Sequence, residues 1–380
     1  MRKQIAFTAA ILVAASLFLG VSARAQEPVA VEPTIENGVA WYDATQWPVE
    51  NKAWNDVDRY FARFPARAKE MVPEAVWGLA QNSAGEVIRF RANTDKLLIR
   101  YTLYSSMLAM PHMPATGVSG FDLYAFDDVK NQWRWVSVTK PTKREDENVW
   151  VEGMEKKERE YMAYLPLYNG VNALSIGVPE GCEFTALSPR TDKPIVYYGT
   201  SIAQGGCASR PGNMYTSTIG RALDIPVVNL GFSGSAHMEI EIAELMGELD
   251  AELFVLDAGP NMTGKLTDER MIPFVKKLKE MRPDVPILFV EDRWYGNCWI
   301  KVDHMNHNLG SHEAIRRAFD ELSKEYDDLY FLPCENQLRE DLDFDATLDG
   351  AHLNDLGMYR QAQALEAVIR PILEKNRAEK

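Results

Sequence analysis

Residues 193–205 read KPIVYYGTSIAQG: a short apolar run, Ile195 to Tyr198, followed at once by Gly199, Thr200 and Ser201. Four more runs of this kind follow, VVNL (227–230), LFVLDA (253–258), ILFV (287–290) and LYFL (329–332). Runs that are apolar at nearly every position suit strands covered on both faces, as in a parallel sheet. Helix-like stretches lie between them, over 237–249, 268–281 and 311–325. From about Asp355, the spacing of Met358, Ala362, Leu365, Ile369 and Ile372 draws one apolar stripe along a last helix. The pattern predicts an α/β domain over residues 191–380, with a five-stranded, parallel, doubly wound (flavodoxin-like) sheet. Chemistry in such sheets collects just beyond the carboxyl ends of the strands.

Upstream the period changes to two. Leu97, Ile99, Tyr101 and Leu103 alternate in DKLLIRYTLY, and Phe121, Leu123 and Ala125 in GFDLYAF. WRWVSVT (133–139), EYMAYLPL (160–167) and NALSIGV (172–178) also read as strands, with Gly, Pro and Asn between runs. Short alternating strands predict an antiparallel β-sandwich domain over residues 26–190. One short helix is expected within 52–71, and Trp133 and Trp135 are expected in the core or between the domains.

The chain opens with Arg2 and Lys3, an apolar run from Ile5 to Leu19, and Ala23-Arg24-Ala25. This is the three-part pattern of a signal peptide, residues 1–25, cleaved after Ala25. An uncleaved anchor is the alternative, but the run falls short of about 20 spanning residues. The expectation is export to the periplasm or the medium, with no integral membrane segment after cleavage. Net charge is −14, from 41 basic and 55 acidic residues, which argues against a nucleic-acid partner. A composition 46% hydrophobic and 25% charged excludes wholesale disorder. Cys182, Cys207, Cys298 and Cys334 lack C-x-x-C spacing; buried thiols are the simpler reading, and pairing stays open.

Each strand end carries a distinct block: Gly199-Thr200-Ser201-Ile202, then Asn229 to Gly234, then Ala258-Gly259-Pro260-Asn261. Before the last helix stands Asp349-Gly350-Ala351-His352. With these four blocks in order, residues 193–373 resemble the SGNH (GDSL-type) hydrolase superfamily, whose marker residues are Ser, Gly, Asn and His. GFDLY (120–124), YLPLYNG (164–170) and YYGTSIAQG (197–205) resemble a bacterial subgroup with an N-terminal β domain carrying a G-x-D-L-Y motif.

The resemblance implies a catalytic set of Ser201, Asp349 and His352. Ser201 would attack a carbonyl, His352 would serve as base and then acid, and Asp349 would orient the imidazole. It also implies an oxyanion hole made of the Ser201 N–H, the Gly234 N–H and the Asn261 side-chain amide. Thr200 and Met262 stand where the superfamily often has acids, so a substrate cannot be borrowed from better-known members.

Other constellations are weaker. Ala203 ends the nucleophile block where an α/β-hydrolase elbow needs Gly. His304, His307 and His312 lack the spacing of a zinc site, so no metal is expected, and no nucleotide motif follows the first strand, so no cofactor is either. The connection 291–310 is long and carries Trp294, Tyr295 and Trp299, candidate substrate-binding residues that could stack on a sugar or grip an acyl chain. The resulting expectation is a secreted serine esterase acting on short O-acyl groups, acetyl foremost. Its partner would be an acylated carbohydrate or another small ester. A lipase or thioesterase for longer chains, and a non-catalytic carbohydrate-binding protein, are the alternatives.

Overall fold

The computed structural model describes residues 26–338 and 345–378, so the expected signal peptide lies outside the described residues. The N-terminal strands are β1 (Pro28–Val29), β2 (Thr34–Glu36), β3 (Val39–Asp43), β4 (Val87–Leu103), β5 (Asp122–Asp127), β6 (Gln132–Val138), β7 (Glu145–Tyr164), β8 (Val171–Pro179) and β9 (Glu183–Leu187). They pair into a single antiparallel sheet, ordered β2-β3-β8-β4-β7-β5-β6, with β1 joined through β9 to β4. All nine strands thus join in one hydrogen-bonded antiparallel network, the β domain expected from the alternating pattern, with the long strands β4 and β7 shared between its two arms. β4 pairs with β9 near one end and β8 near the other, while β7 runs along its opposite edge. Bulges at Thr94/Lys96 and Leu97/Leu98 bend this long pair, as an extra residue in one strand does. The bent sheet gathers Phe90, Ile99, Phe121, Leu123, Tyr161 and Ile176 into one core.

The C-terminal strands are β10 (Ile195–Gly199), β11 (Val227–Gly231), β12 (Leu253–Asp257), β13 (Ile287–Val290) and β14 (Leu329–Leu332). All pair in parallel, in the order β11-β10-β12-β13-β14. Every residue of β10 to β13 is buried, because both faces are covered. Helices α1 (Glu74–Ala80) and α2 (Ala115–Val118) precede this sheet; α3 (Ser201–Gln204), α4 (Tyr215–Ala222), α5 (Ile240–Gly247), α6 (Gly264–Met281), α7 (Val302–Leu322) and α8 (Asp355–Ala378) belong to it. Val196, Tyr198, Leu230 and Phe254 face α5, α6 and α7, while Ile195, Tyr197 and Val255 face α4 and α8. Among the described residues, no helix is long and apolar enough to cross a membrane.

The short helix expected within 52–71 forms only as one 3-10 turn. Pro65 caps this turn, Ala66–Glu70, and α1 starts only at Glu74. The proline ring disfavours helical backbone at Phe64. Trp54, Phe64, Ala68 and Val76 instead pack on the parallel sheet beside Phe232 and Met246.

Buried charge ties the two parts together. Glu50 accepts from Arg190 at 2.8 Å and lies 3.2 Å from the Arg89 guanidinium, and Arg190 also pairs with Asp224 at 3.0 Å. Burial opposes ionisation of Glu50, but Arg89 and Arg190 outweigh it and hold its pKa at about 2. Glu86 precedes Val87, whose backbone is bridged to Glu50, and its environment has the opposite effect. Burial pushes its pKa up to about 8, against the pull of Lys52, Arg63 and Arg59. Neither Glu86 carboxyl oxygen has a hydrogen-bond partner among the described residues.

Candidate active site

The strand order reverses between β10 and β12, and the crevice opens at their carboxyl ends. Gly199 is in register with both Gly231 and Asp257, so three of the blocks read from sequence emerge side by side. Ser201 begins α3 and is nearly buried. Thr200 caps that turn, its hydroxyl accepting from the Ile202 N–H at 3.4 Å, so threonine supplies an acceptor where the superfamily often has aspartate. Met262, the other departure, is a buried core residue.

Ser201 Oγ lies 2.8 Å from His352 Nε2, and His352 Nδ1 lies 2.8 Å from Asp349 Oδ2. The other Asp349 oxygen accepts from the backbone N–H groups of Ala351 (3.0 Å) and His352 (2.8 Å). Partial burial raises the Asp349 pKa, but these donors and the imidazole prevail and hold it below the usual carboxylate range. An ionised carboxylate only accepts, so in a neutral ring Nδ1 carries the proton and Nε2 is left to accept from the serine hydroxyl. The Cys207 N–H donates to the Leu353 carbonyl at 2.8 Å, fastening the segment after α3 to the histidine turn.

Gly234 has φ +66°, and a Cβ there would meet nothing within 4 Å, so its backbone borders open space. The Asn261 amide oxygen accepts from the N–H groups of Ser235 (3.0 Å) and Ala236 (3.1 Å), in the orientation that satisfies both ends. That turn thus fixes the side chain while using only its oxygen.

Beneath the crevice, Asp257 accepts from Tyr197 (2.9 Å), Tyr215 (2.8 Å) and Arg293 (3.1 Å), all of them buried. Burial raises the Asp257 pKa, and Arg293 opposes that rise. Sequence reasoning missed this cluster, whose members come from four separate segments.

The connection after β13 is shorter than the sequence suggested, because α7 starts at Val302. The Gly296 N–H donates to the Gly350 carbonyl at 2.7 Å, so this loop lies against the Asp349–His352 turn. Its three aromatics differ in setting. Trp299 is 80% exposed and Trp294 is 39% exposed, with its ring edge-on to His312. Tyr295 is packed between His304 and His307 and is not an open face. His304 and His307 therefore belong to α7, together with His312, rather than to the connection. Glu291, His312 and Cys334 place donor atoms within 4.8 Å of one another. Glu291 is already engaged by Arg316 at 2.5 and 2.8 Å and by the Cys334 N–H at 2.8 Å. All four cysteines are free thiols.

The β domain also reaches the crevice. His112 has its ring centroid 6.3 Å from that of His352, and Tyr168 donates to the Ser201 carbonyl at 2.9 Å. Tyr168 sits in the YLPLYNG block, which marks a subgroup without revealing what the tyrosine touches. His112 carries no comparable signal.

A model of the GDSL-like lipase/acylhydrolase family matches residues 192–370, and a model of the GxDLY N-terminal domain of SGNH-hydrolase-type esterases matches residues 39–184. Among solved structures, a protein described as a GDSL-like lipase from Bacteroides ovatus is 30% identical, with a TM-score of 0.84 over 88% of this chain and 98% of that one. The salicylyl-acyltransferase SsfX3 from a tetracycline biosynthetic pathway has a similar fold, with a TM-score of 0.66 and 16% identity over 91% and 94% of the chains. A family two carbohydrate esterase from Cellvibrio japonicus has a TM-score of 0.56 and 11% identity over 88% and 98%. No curated protein matches the chain. With 30% identity to a GDSL-like structure over nearly that chain's whole length, and the two family models matching in tandem, the chain belongs to the GDSL-like (SGNH-type) lipase/acylhydrolase family.

Proposed function

We propose that the protein is an exported serine esterase that removes short O-acyl groups, acetyl foremost, from carbohydrate. The observation that carries the chemistry is the unbroken pair of 2.8 Å contacts from Ser201 through His352 to Asp349. Ser201 Oγ attacks the ester carbonyl as its proton passes to His352 Nε2. The Ser201 and Gly234 N–H groups and the Asn261 NH2 receive the oxyanion, the 235–236 turn holding that amide in place by its oxygen. The imidazolium, held by the Asp349 carboxylate, then protonates the departing alcohol. Water enters, His352 takes its proton, and the acid leaves as Ser201 is restored.

Three features support the substrate class. His352 and Asp349 are partly open to solvent, with side chains 31% and 47% exposed, as a bulky sugar chain requires. Trp294 and Trp299 offer indole surface on the loop that abuts the histidine turn, and an indole face suits a sugar ring. The likeness to the Cellvibrio japonicus carbohydrate esterase extends over the β domain as well as the parallel sheet. Export is supported by the pattern of residues 1–25.

The test is acid release from acetylated polysaccharides and from p-nitrophenyl acetate, butyrate and octanoate, with Ser201→Ala as control. Acetate release that falls steeply beyond butyrate and vanishes in the variant is expected. Rates that climb with acyl length would instead identify a lipase, and equal rates in the variant would remove the mechanism.

A further inference from the structure

The G-x-D-L-Y block, Gly120 to Tyr124, lies on the β domain, yet its polar groups face the α/β domain. Asp122 is fully buried and accepts from Arg210 Nη1 at 2.8 Å, the Gly212 N–H at 2.8 Å and Trp135 Nε1 at 2.9 Å. The Tyr124 hydroxyl accepts from the same Arg210 nitrogen at 2.7 Å, and the Arg210 guanidinium lies over the Trp135 ring at 5.1 Å. The approach is close: a Cβ on Gly212 would stand 2.3 Å from Tyr124 Cε2 and 2.8 Å from Asp122 Oδ2. Leu123, between the two, is a core residue of the β domain. The block is thus anchored on one side and spends its polar atoms on residues 210–212.

Those residues belong to the segment that leaves the nucleophile helix. The same segment is held to the histidine turn at two points: the Cys207 N–H donates to the Leu353 carbonyl, and Ser209 donates to the Asp355 carboxylate from its N–H at 2.9 Å and its hydroxyl at 2.5 Å. Asp355 opens α8, three residues after His352. From the β-domain side, the Thr116 hydroxyl donates to the Ser209 carbonyl at 2.6 Å. Residues 207–212 are therefore gripped by the β domain on one flank and by the His352 turn on the other.

We infer that Asp122 is a positioning residue for the hydrolytic reaction: through Arg210, Gly212 and Ser209 it fixes where His352 stands relative to Ser201. A hydroxyl and an imidazole react only within a narrow range of separation, and about 1 Å of misplacement can cost 10²-fold in rate. The β domain is on this account part of the catalytic frame, acting at a distance from the reacting atoms. The inference rests on the Ser201–His352 reading above, and its experiment separates the two.

Asp122→Asn, Ser209→Ala and the double variant are assayed on p-nitrophenyl acetate for kcat and KM, with melting temperature measured in parallel. Asp122→Asn is expected to lower kcat by about tenfold or more while KM moves less than about twofold, since the binding surface is untouched. Ser209→Ala should act in the same direction, and the double variant should fall no further than the worse single variant, as expected for residues in one chain of contacts. An unchanged kcat in Asp122→Asn, whatever its melting temperature, overturns the inference, as does full additivity in the double variant. If Asp122→Asn does not fold, Thr116→Val removes a single bond of the same brace and must itself lower kcat; an unchanged kcat there also overturns it. Wild-type turnover that survives Ser201→Ala would instead strike the underlying catalytic reading.

Discussion

The crevice and the seam between the two domains are both built from ionisable side chains, and they treat charge in opposite ways. In the crevice, Asp349 and His352 stay partly open to solvent, and each nitrogen of the imidazole faces one partner. In the seam, Glu50, Arg89 and Arg190 are withdrawn from water and locked in multiple contacts. On the proposed mechanism the His352 imidazole takes up and gives back a proton while Asp349 stays ionised, so the imidazole alone needs a low cost for either charge state. Groups that only hold a fold in place can be committed to one, because a buried pair is strongly destabilising when broken. Substitutions should therefore divide, crevice changes affecting rate and changes at Glu50 and Glu86 affecting stability, with Asp122, where the seam braces residues 207–212, the expected exception.

The largest effect is expected at Asp349. Asp349→Asn can donate to Nδ1 and so place the imidazole proton on the wrong nitrogen, lowering kcat by about 10⁴-fold with little change in melting temperature. Steady-state kinetics beside a thermal melt check this, and a comparable loss of stability would erase the contrast. Asn261→Ala comes next, with kcat expected to fall by about 10²- to 10³-fold at nearly constant KM, as for loss of one oxyanion donor. A rise in KM alone would assign Asn261 to substrate binding instead.

The seam should respond in stability. Glu50 has its pKa lowered from 4.5 to about 2 in the folded protein, so its contribution is fully present above pH 4.5 and is lost as pH falls through 2. Glu50→Gln should cost about 3 kcal/mol at pH 7 and flatten the acid limb of the stability curve, read by denaturant titration at several pH values. Glu86 works the other way. Its pKa is raised from 4.5 to about 8, so the folded state holds a proton that the unfolded chain gives up, and stability falls as pH climbs from 4.5 through 8. Glu86→Gln should therefore match the wild type near pH 4 and exceed it at pH 9, by a margin at least as large as the loss at Glu50. A variant no more stable than wild type at pH 9 would mean that the neighbouring cations neutralise Glu86 fully.

The same division marks what the sequence made legible. The parallel sheet was readable because both faces of β10 to β13 are covered, which leaves unbroken apolar runs. The candidate site was legible because each of its residues sits just past one of those runs or just before the last helix. The β domain's alternation revealed which residues face inward but not which strands pair, nor that β4 and β7 run the length of both arms. Residues 52–71 carry apolar groups, but these pack on the other domain's sheet and need no helical period. The seam's motif, GFDLY, was visible, but its contacts left no local trace. Asp122 and Gly212 are 90 residues apart, and only folding makes them neighbours. Trp135, expected in a core or between domains, is half exposed and stands at that seam with its indole nitrogen on Asp122. Tyr295 read as a candidate contact surface, yet stacking on His307 occupies one of its faces.

The most direct measurement is covalent capture of the nucleophile. Treated with a fluorophosphonate and mapped by peptide mass, the wild-type protein should carry a single adduct on Ser201, and His352→Ala should carry none on the same timescale. An adduct on another residue, or equal labelling of Ser201 without the imidazole, would contradict the account.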